Sequence, residues 1–304
     1  MAILVIGSSN TDLTVHVSSL PKPGETVLGG TFNVFQGGKG ANQAVGAVRQ
    51  DAEVAFCCNV GMDDYGRASV ECYRKEGIDT SYVFETDKAA SGVALILVDD
   101  KAENSIAVAG GANLCMTSEI LERINDWSRY DIVLAQLEIP VETVEHIGDL
   151  ARSHNIPFVL NPAPARKLSD SLLANVDIIT PNETEVEILT GIKVVDEASA
   201  EVAARQLCAK GVKSVIITMG SKGAYVYSDG KGAIVPAFKV KAVDTTAAGD
   251  TFNGALCAAL SEGKTLMESV VFASAASALS VTKQGAQPSV PHRNEVDEFL
   301  NSRS

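Results

Sequence analysis

Positive charge is scarce in this 304-residue chain: 25 lysines and arginines face 38 aspartates and glutamates, for a net charge of −13. A field of that sign repels polyanions, so nucleic acid and acidic membrane surfaces are excluded as partners. A small anionic ligand would need local help from backbone amides, a few lysines or a divalent metal. No apolar run approaches the length of a membrane span. The first of them, residues 2–6, is short and has no basic flank, which predicts a strand and not a signal peptide. The six cysteines (Cys57, Cys58, Cys72, Cys115, Cys208, Cys257) form no Cys-x-x-Cys pair and no metal spacing. They are expected to be reduced and mostly buried, in a cytoplasmic protein. The four histidines are scattered, and repeats, low-complexity segments and long linkers are lacking. What is left, 46% hydrophobic and 21% charged residues, suits one large α/β domain spanning 1–304.

The chain is organised around Asp244-Thr245-Thr246-Ala247-Ala248-Gly249-Asp250. An alternating run at 238–243 predicts a strand before it, and 251–260 predicts a helix after it. Ala247, Ala248 and Gly249 have almost no side chain, so their N–H groups can approach a ligand closely. A helix start leaves N–H groups unpaired and partly positive, which favours an anion such as phosphate. Asp250 at that start can take a proton from a hydroxyl while the amides hold charge on a transferring phosphoryl group. The plainer alternative is a helix capped by Thr245 or Thr246, with Asp250 complementing the dipole.

Elsewhere short apolar strands alternate with helices: 2–6, 54–57, 132–135, 158–160, 176–179 and 215–218, each ending in polar or glycine-rich residues. That pattern predicts a doubly wound, mainly parallel sheet with helices on both faces and ligands along one edge. The first strand delivers Asn10 and Asp12 to that edge. Two β-rich pieces without helical period, about 13–35 and 92–108, predict a small inserted antiparallel sheet. A few strands cannot cover both their faces unaided, so this sheet should act as a lid or pair with another copy. Gly37-Gly38-Lys39-Gly40-Ala41-Asn42-Gln43 is a second glycine loop opening a helix. It is not a P-loop, because Gly40 follows Lys39 where Ser or Thr is required. An Ala/Ser-rich helix at 266–281 precedes an oxygen-rich loop at 282–291, where Asp244 could supply charge for a hard cation.

Together, the Gly37–Ala44 and Asp244–Ala255 segments resemble the two signatures of the ribokinase-like (phosphofructokinase-B type) carbohydrate kinases. The likeness extends to Gly7-Ser8-Ser9-Asn10-Thr11-Asp12, Gln136-Leu137-Glu138, Asn161-Pro162-Ala163-Pro164, Pro181-Asn182-Glu183-Thr184-Glu185 and Gly285-Ala286-Gln287-Pro288-Ser289. These lie in family order across essentially the whole chain. One departure is Ala247, where many members have Gly.

The resemblance implies ATP-dependent phosphorylation of the 5-hydroxyl of ribose. It makes Asp250 the base and the amides of Ala247, Ala248 and Gly249 the anion hole. Asn10, Asp12, Gly38, Lys39, Asn42 and Glu138 would hold the sugar, with Asp250. Asn182, Thr218, Gly220, Ser221, Gly223, Gly249 and Ser274 would line the nucleotide. Glu185 would order Mg²⁺ through water, and Asp244, Thr246, Ser280, Lys283, Gly285 and Ser289 would surround potassium. The small sheet would be both lid and homodimer interface. A sister kinase for deoxyribose or a nucleoside would share the fold and Asp250. A non-catalytic sugar-binding regulator would lose Asp250 or the glycine turn, and both are present. A dinucleotide oxidoreductase is disfavoured, since no Gly-x-Gly-x-x-Gly follows the first strand.

Overall fold

The computed structural model describes residues 2–101 and 103–303. Its strands, in chain order, are β1 (Ala2–Ile6), β2 (Asn10–Val17), β3 (Thr31–Gly37), β4 (Glu53–Gly61), β5 (Val83–Thr86), β6 (Gly92–Asp99) and β7 (Asn104–Ala109). They continue with β8 (Ile132–Ala135), β9 (Phe158–Leu160), β10 (Ile178–Ile179), β11 (Ser214–Thr218), β12 (Ala224–Ser228) and β13 (Lys231–Val235). Nine of them form one sheet in the order β13-β12-β11-β10-β9-β8-β1-β4-β5. From β11 to β5 every pairing is parallel. β12 and β13 add an antiparallel edge.

The continuous apolar run of β1 reflects cover on both faces. Leu4 and Ile6 pack into one buried cluster, and Ile3 and Val5 into another on the opposite side. β1 lies between β4 and β8, so the chain order reverses there. A crevice for ligands opens at the carboxyl ends of strands flanking such a point.

The second sheet has the order β3-β2-β6-β7. The expected antiparallel pairing holds for β2–β3 and β6–β7, whereas the central pair β2–β6 runs parallel. The two strands reach the sheet separately, each rising from the main body, and so enter it in the same direction. Asn10 and Asp12 lie in β2, the crossing strand that follows β1, and not on β1 itself.

Two local expectations are corrected. Residues 238–243 form no strand. Pro236 has no N–H to continue the β13 ladder, and the alternating half-burial comes from packing against helices, with the Phe238 ring edge-on to Phe299 at 5.3 Å. No threonine caps the next helix, which begins early, at Ala248, and runs to Ser261. Its N-cap is Ala247, with φ 57° and no side-chain cap. Thr246 instead binds backward, its N–H and hydroxyl both donating to Asp244 Oδ1 at 2.9 and 2.6 Å. The β12–β13 hairpin closes on Asp229-Gly230, a two-residue turn with both residues at positive φ.

Candidate active site

The site begins where two helices touch backbone to backbone. A Cβ on Gly254, in the Ala248–Ser261 helix, would lie 2.5 Å from Gln43 O and 2.6 Å from Ala47 N, in the Lys39–Val48 helix. Only glycine permits that approach, and it carries the side chains at the start of each helix into contact. Asn42 Nδ2 donates to Asp250 Oδ2 at 3.0 Å, and Gln43 Nε2 donates to Asp250 Oδ1 at 2.9 Å. Asp250 is buried, so these two amides fix its carboxylate from both sides.

The amides are themselves held. Gln287 Nε2 donates to Asn42 Oδ1, Gln136 Nε2 donates to Gln43 Oε1, and Gln43 Nε2 also reaches Asn161 Oδ1. Asn161 in turn donates to Thr180 O. This polar network lies at the carboxyl ends of β8, β9 and β10, as the switch-point rule requires.

The Gly37–Gly38 turn packs on the crossing from β1 to β2. Gly38 has φ 89°, and a Cβ there would stand 2.7 Å from Asn10 N. Glu138 Oε2 accepts from Ser8 Oγ at 2.5 Å and from Lys39 N at 3.0 Å, tying β8 to the glycine loop. Asp12 lies beside this group. Burial, with the charges of Glu138 and Asp250, pushes its carboxyl up to about 6. The Lys39 ammonium is pushed up by Asp250 first, against burial, with Glu138 and Glu185 adding. Asn10, Asp12, Gly38, Lys39, Asn42, Glu138 and Asp250 are thus brought together, though Asn42 spends its amide on Asp250.

A cavity of about 640 Å³ opens on the other side of Asp250's helix start. Its wall includes Asn182, Thr218, Gly220, Ser221, Gly223, Gly249 and Ser274, which are all the residues expected along a nucleotide. Phe238 and Val240, from the run misread as a strand, close the same wall. A smaller cavity of about 200 Å³, whose lining includes Lys39, Glu185, Ala247 and Asp250, shares Asn182, Thr218, Thr245, Ala248 and Gly249 with the first. Among the described residues, no group accepts from the N–H of Ala247 or Gly249, whereas Ala248 N–H leans on Thr245 O at 3.2 Å. Ala247's left-handed backbone is unusual for a residue with a Cβ and costs about 1–2 kcal/mol. A glycine would take that conformation freely.

Glu185 is the N3 residue of a capping box: its Oε2 accepts Asn182 N–H at 2.8 Å, and Asn182 Oδ1 accepts Glu185 N–H. Burial pushes its carboxyl up, opposed by the Asn182 N–H and by Lys39, and reinforced by Asp250.

Asp244 ties three segments together. Besides Thr246, its Oδ2 accepts Gly285 N–H at 2.9 Å, and the N–H of Val243 donates to Val281 O at 2.7 Å. Burial pushes its carboxyl up, but the bonds from Thr246 and Gly285 outweigh this and hold it below the usual range. Ser280 and Ser289 spend their hydroxyls on Ser277 O and Ala286 O. The Lys283 ammonium turns away to Glu295, so that residue offers the turn only its carbonyl.

Gln43, Gln136, Asn161 and Asn113 carry site geometry without having been singled out as site residues. Gln43 lies on the side of its helix opposite the Ala41, Ala44, Val45 and Val48 stripe, so the apolar period did not mark it.

The pfkB family carbohydrate kinase model matches residues 2–293, and the chain belongs to that family. It is 46% identical over 299 residues to the ribokinase of Haemophilus influenzae, covering 98% of each. It is 38% identical over 303 residues to the deoxyribokinase of Salmonella typhi, covering 99% of each. It is also similar to the structure of Arabidopsis thaliana ribokinase complexed with ribose and ATP, with TM-score 0.90 and 32% identity over 98% of both chains.

Proposed function

We propose that this chain is an ATP-dependent kinase that phosphorylates the 5-hydroxyl of ribose, giving ribose 5-phosphate and ADP. The observation that carries the reading is Asp250. A buried carboxylate, fixed by two amides, stands at a helix start between a sugar-sized polar cluster and a cavity of nucleotide dimensions.

Its Oδ atoms accept the proton of the 5-hydroxyl as that oxygen's lone pair forms a bond to the γ-phosphorus. The bond from the γ-phosphorus to the β,γ-bridging oxygen breaks, and its electrons leave with ADP. Charge on the moving phosphoryl group is met by the N–H groups of Ala247 and Gly249, the helix dipole and Lys39. The test is ADP release across a panel of pentoses, hexoses and nucleosides, which ribose should lead.

Two ions complete the reading. Glu185, with one oxygen bound to Asn182, leaves its other oxygen for Mg²⁺ through water. When bound, Mg²⁺ would neutralise phosphate charge. The Asp244 turn offers one carboxylate, and backbone oxygens from residues such as Thr246, Lys283 and Gly285 would complete the site. So small a negative charge fits a monovalent ion such as potassium better than a divalent one. Free thiols at all six cysteines, none exposed, suit a reducing cytoplasm.

Asp12 makes sugar binding acid-sensitive. Its value of about 6 lies above the usual carboxylate range, so below pH 6 the free protein carries it protonated and loses an acceptor. The expected result is a kcat/KM for ribose that falls roughly tenfold per pH unit below 6, with the ATP KM steady. The folded state binds more protons than the unfolded one between about pH 4 and 6. Asp12 by itself therefore stabilises the fold as pH falls through that window. Activity lost at pH 5 without a drop in Tm fits this account, and a pH-independent ribose KM from 5 to 8 contradicts it.

The small sheet is one layer thick and leaves large apolar side chains exposed on both faces: Phe32 at 60% and Leu95 at 55% on one, Ile106 at 54% and Val108 at 56% on the other. A second copy related by a two-fold axis would bury one face of each lid, so we expect a homodimer through it. Light scattering at micromolar concentration should give twice the chain mass, and a strictly monomeric mass would contradict it.

A further inference from the structure

Asn113 lies just past β7, in the short turn Gly111–Cys115, and is 1% exposed. Its turn is anchored by Ala112 N–H donating to Ala90 O at 2.8 Å. Its side chain grips the crossing from the main sheet to the small one. Asn113 Oδ1 accepts Ser9 N–H at 2.9 Å, and Nδ2 donates to Ser9 O at 3.2 Å and to Asn10 Oδ1 at 2.7 Å. Both Nδ2 hydrogens are therefore used, and one is committed to the oxygen of Asn10. A Cβ on Gly92 would stand 2.2 Å from Asn10 Oδ1 and 2.4 Å from Asn113 Nδ2, so the pair is packed without slack.

The consequence falls on Asn10. An amide has two ends, and here its oxygen is occupied. Its Nδ2 has no partner among the described residues, although Asn10 is only 4% exposed. That nitrogen is not among the fully enclosed atoms lacking a partner, so it keeps access to the open site, where a ligand would supply its acceptor.

We propose that Asn113 is a positioning residue for sugar selection. By holding Asn10 Oδ1, it turns the Asn10 NH₂ toward the substrate, so that Asn10 acts as a donor to a sugar hydroxyl oxygen. This rests on the ribose reading above. It adds that choosing a hydroxylated carbon over a deoxygenated one depends on a residue that itself touches no sugar.

The test is a double-mutant cycle of Asn10→Ala and Asn113→Asp, read with ribose, 2-deoxyribose and ATP. An aspartate keeps the shape and the bond from Ser9 N–H but cannot donate to Asn10, whose amide then reverses and offers oxygen to the sugar. The ribose-to-deoxyribose ratio of kcat/KM should collapse toward unity through a ribose loss of roughly tenfold or more, with the ATP KM unchanged. In the Asn10→Ala background the same change should alter that ratio by less than about twofold. Asn113→Ala, which buries no charge, gives the same ratio loss if the aspartate variant folds poorly. Equal losses for both sugars, or additive effects in the cycle, would overturn the proposal by showing a merely structural role. The cycle is read on whichever sugar the unmodified protein uses best. A wild type indifferent to ribose would therefore defeat the ribose reading, while the coupling between residues 10 and 113 would still decide the role of Asn113.

Discussion

Asp250→Asn lowers turnover by ~10²-fold or more while the ribose KM stays within about twofold. The substitution preserves volume and removes proton acceptance. It has a second effect specific to this protein. Asn42 Nδ2 and Gln43 Nε2 both donate to Asp250, one to each oxygen. An asparagine must turn its own NH₂ toward one of those donors, leaving two donors facing each other in a buried site. Asp250→Ala separates the contributions. It removes the base without a donor clash, so a similar fall in both variants assigns the loss to proton acceptance. Near-normal turnover in either would remove Asp250 from the chemistry.

Potassium raises turnover roughly tenfold or more over sodium, and Asp244→Ala abolishes the difference. The expectation comes from what Asp244 holds. Its carboxylate ties Thr246 to Gly285, and the turn between Thr246 and the helix start contains Ala247 in its left-handed conformation. Loosening that turn releases Ala247's strain and disperses the N–H groups proposed to meet the phosphoryl group. The Asp244→Ala protein should therefore be slow in either salt, not merely insensitive. Full activity in potassium-free buffer would contradict the cation assignment.

The fold was legible wherever burial on both faces forced a continuous apolar run. β1, β8, β9 and β11 fall where their sequences place them, because a strand covered on both faces leaves no ambiguity of pattern. The run 238–243 misled because alternation reports half-burial, and a chain laid over a helix alternates as a half-buried strand does. The two glycine loops announced the helix starts. They did not announce that Gly254 lets those helices meet, which is a contact 208 residues apart between Asn42 and Asp250. Gln43 and Asn113 stayed silent for the same reason: a buried amide shows its importance only once its partners are known, and sequence spacing does not bring them together. The αL backbone at Ala247 was equally hidden, since alanine gives no sign of a positive φ.

The central claim is that this site chooses a sugar by its hydroxyls and phosphorylates the one on C5. The most direct measurement is steady-state kinetics with ribose and 2-deoxyribose side by side, with ATP as donor and the product identified by phosphorus NMR. The Asn10 NH₂ and the Asp12 carboxylate would lose a partner with the deoxy sugar, at ~1–3 kcal/mol. The account therefore predicts stoichiometric ADP and ribose 5-phosphate, with kcat/KM favouring ribose by at least about tenfold. Equal use of the two sugars, or phosphate on any other hydroxyl, would contradict it.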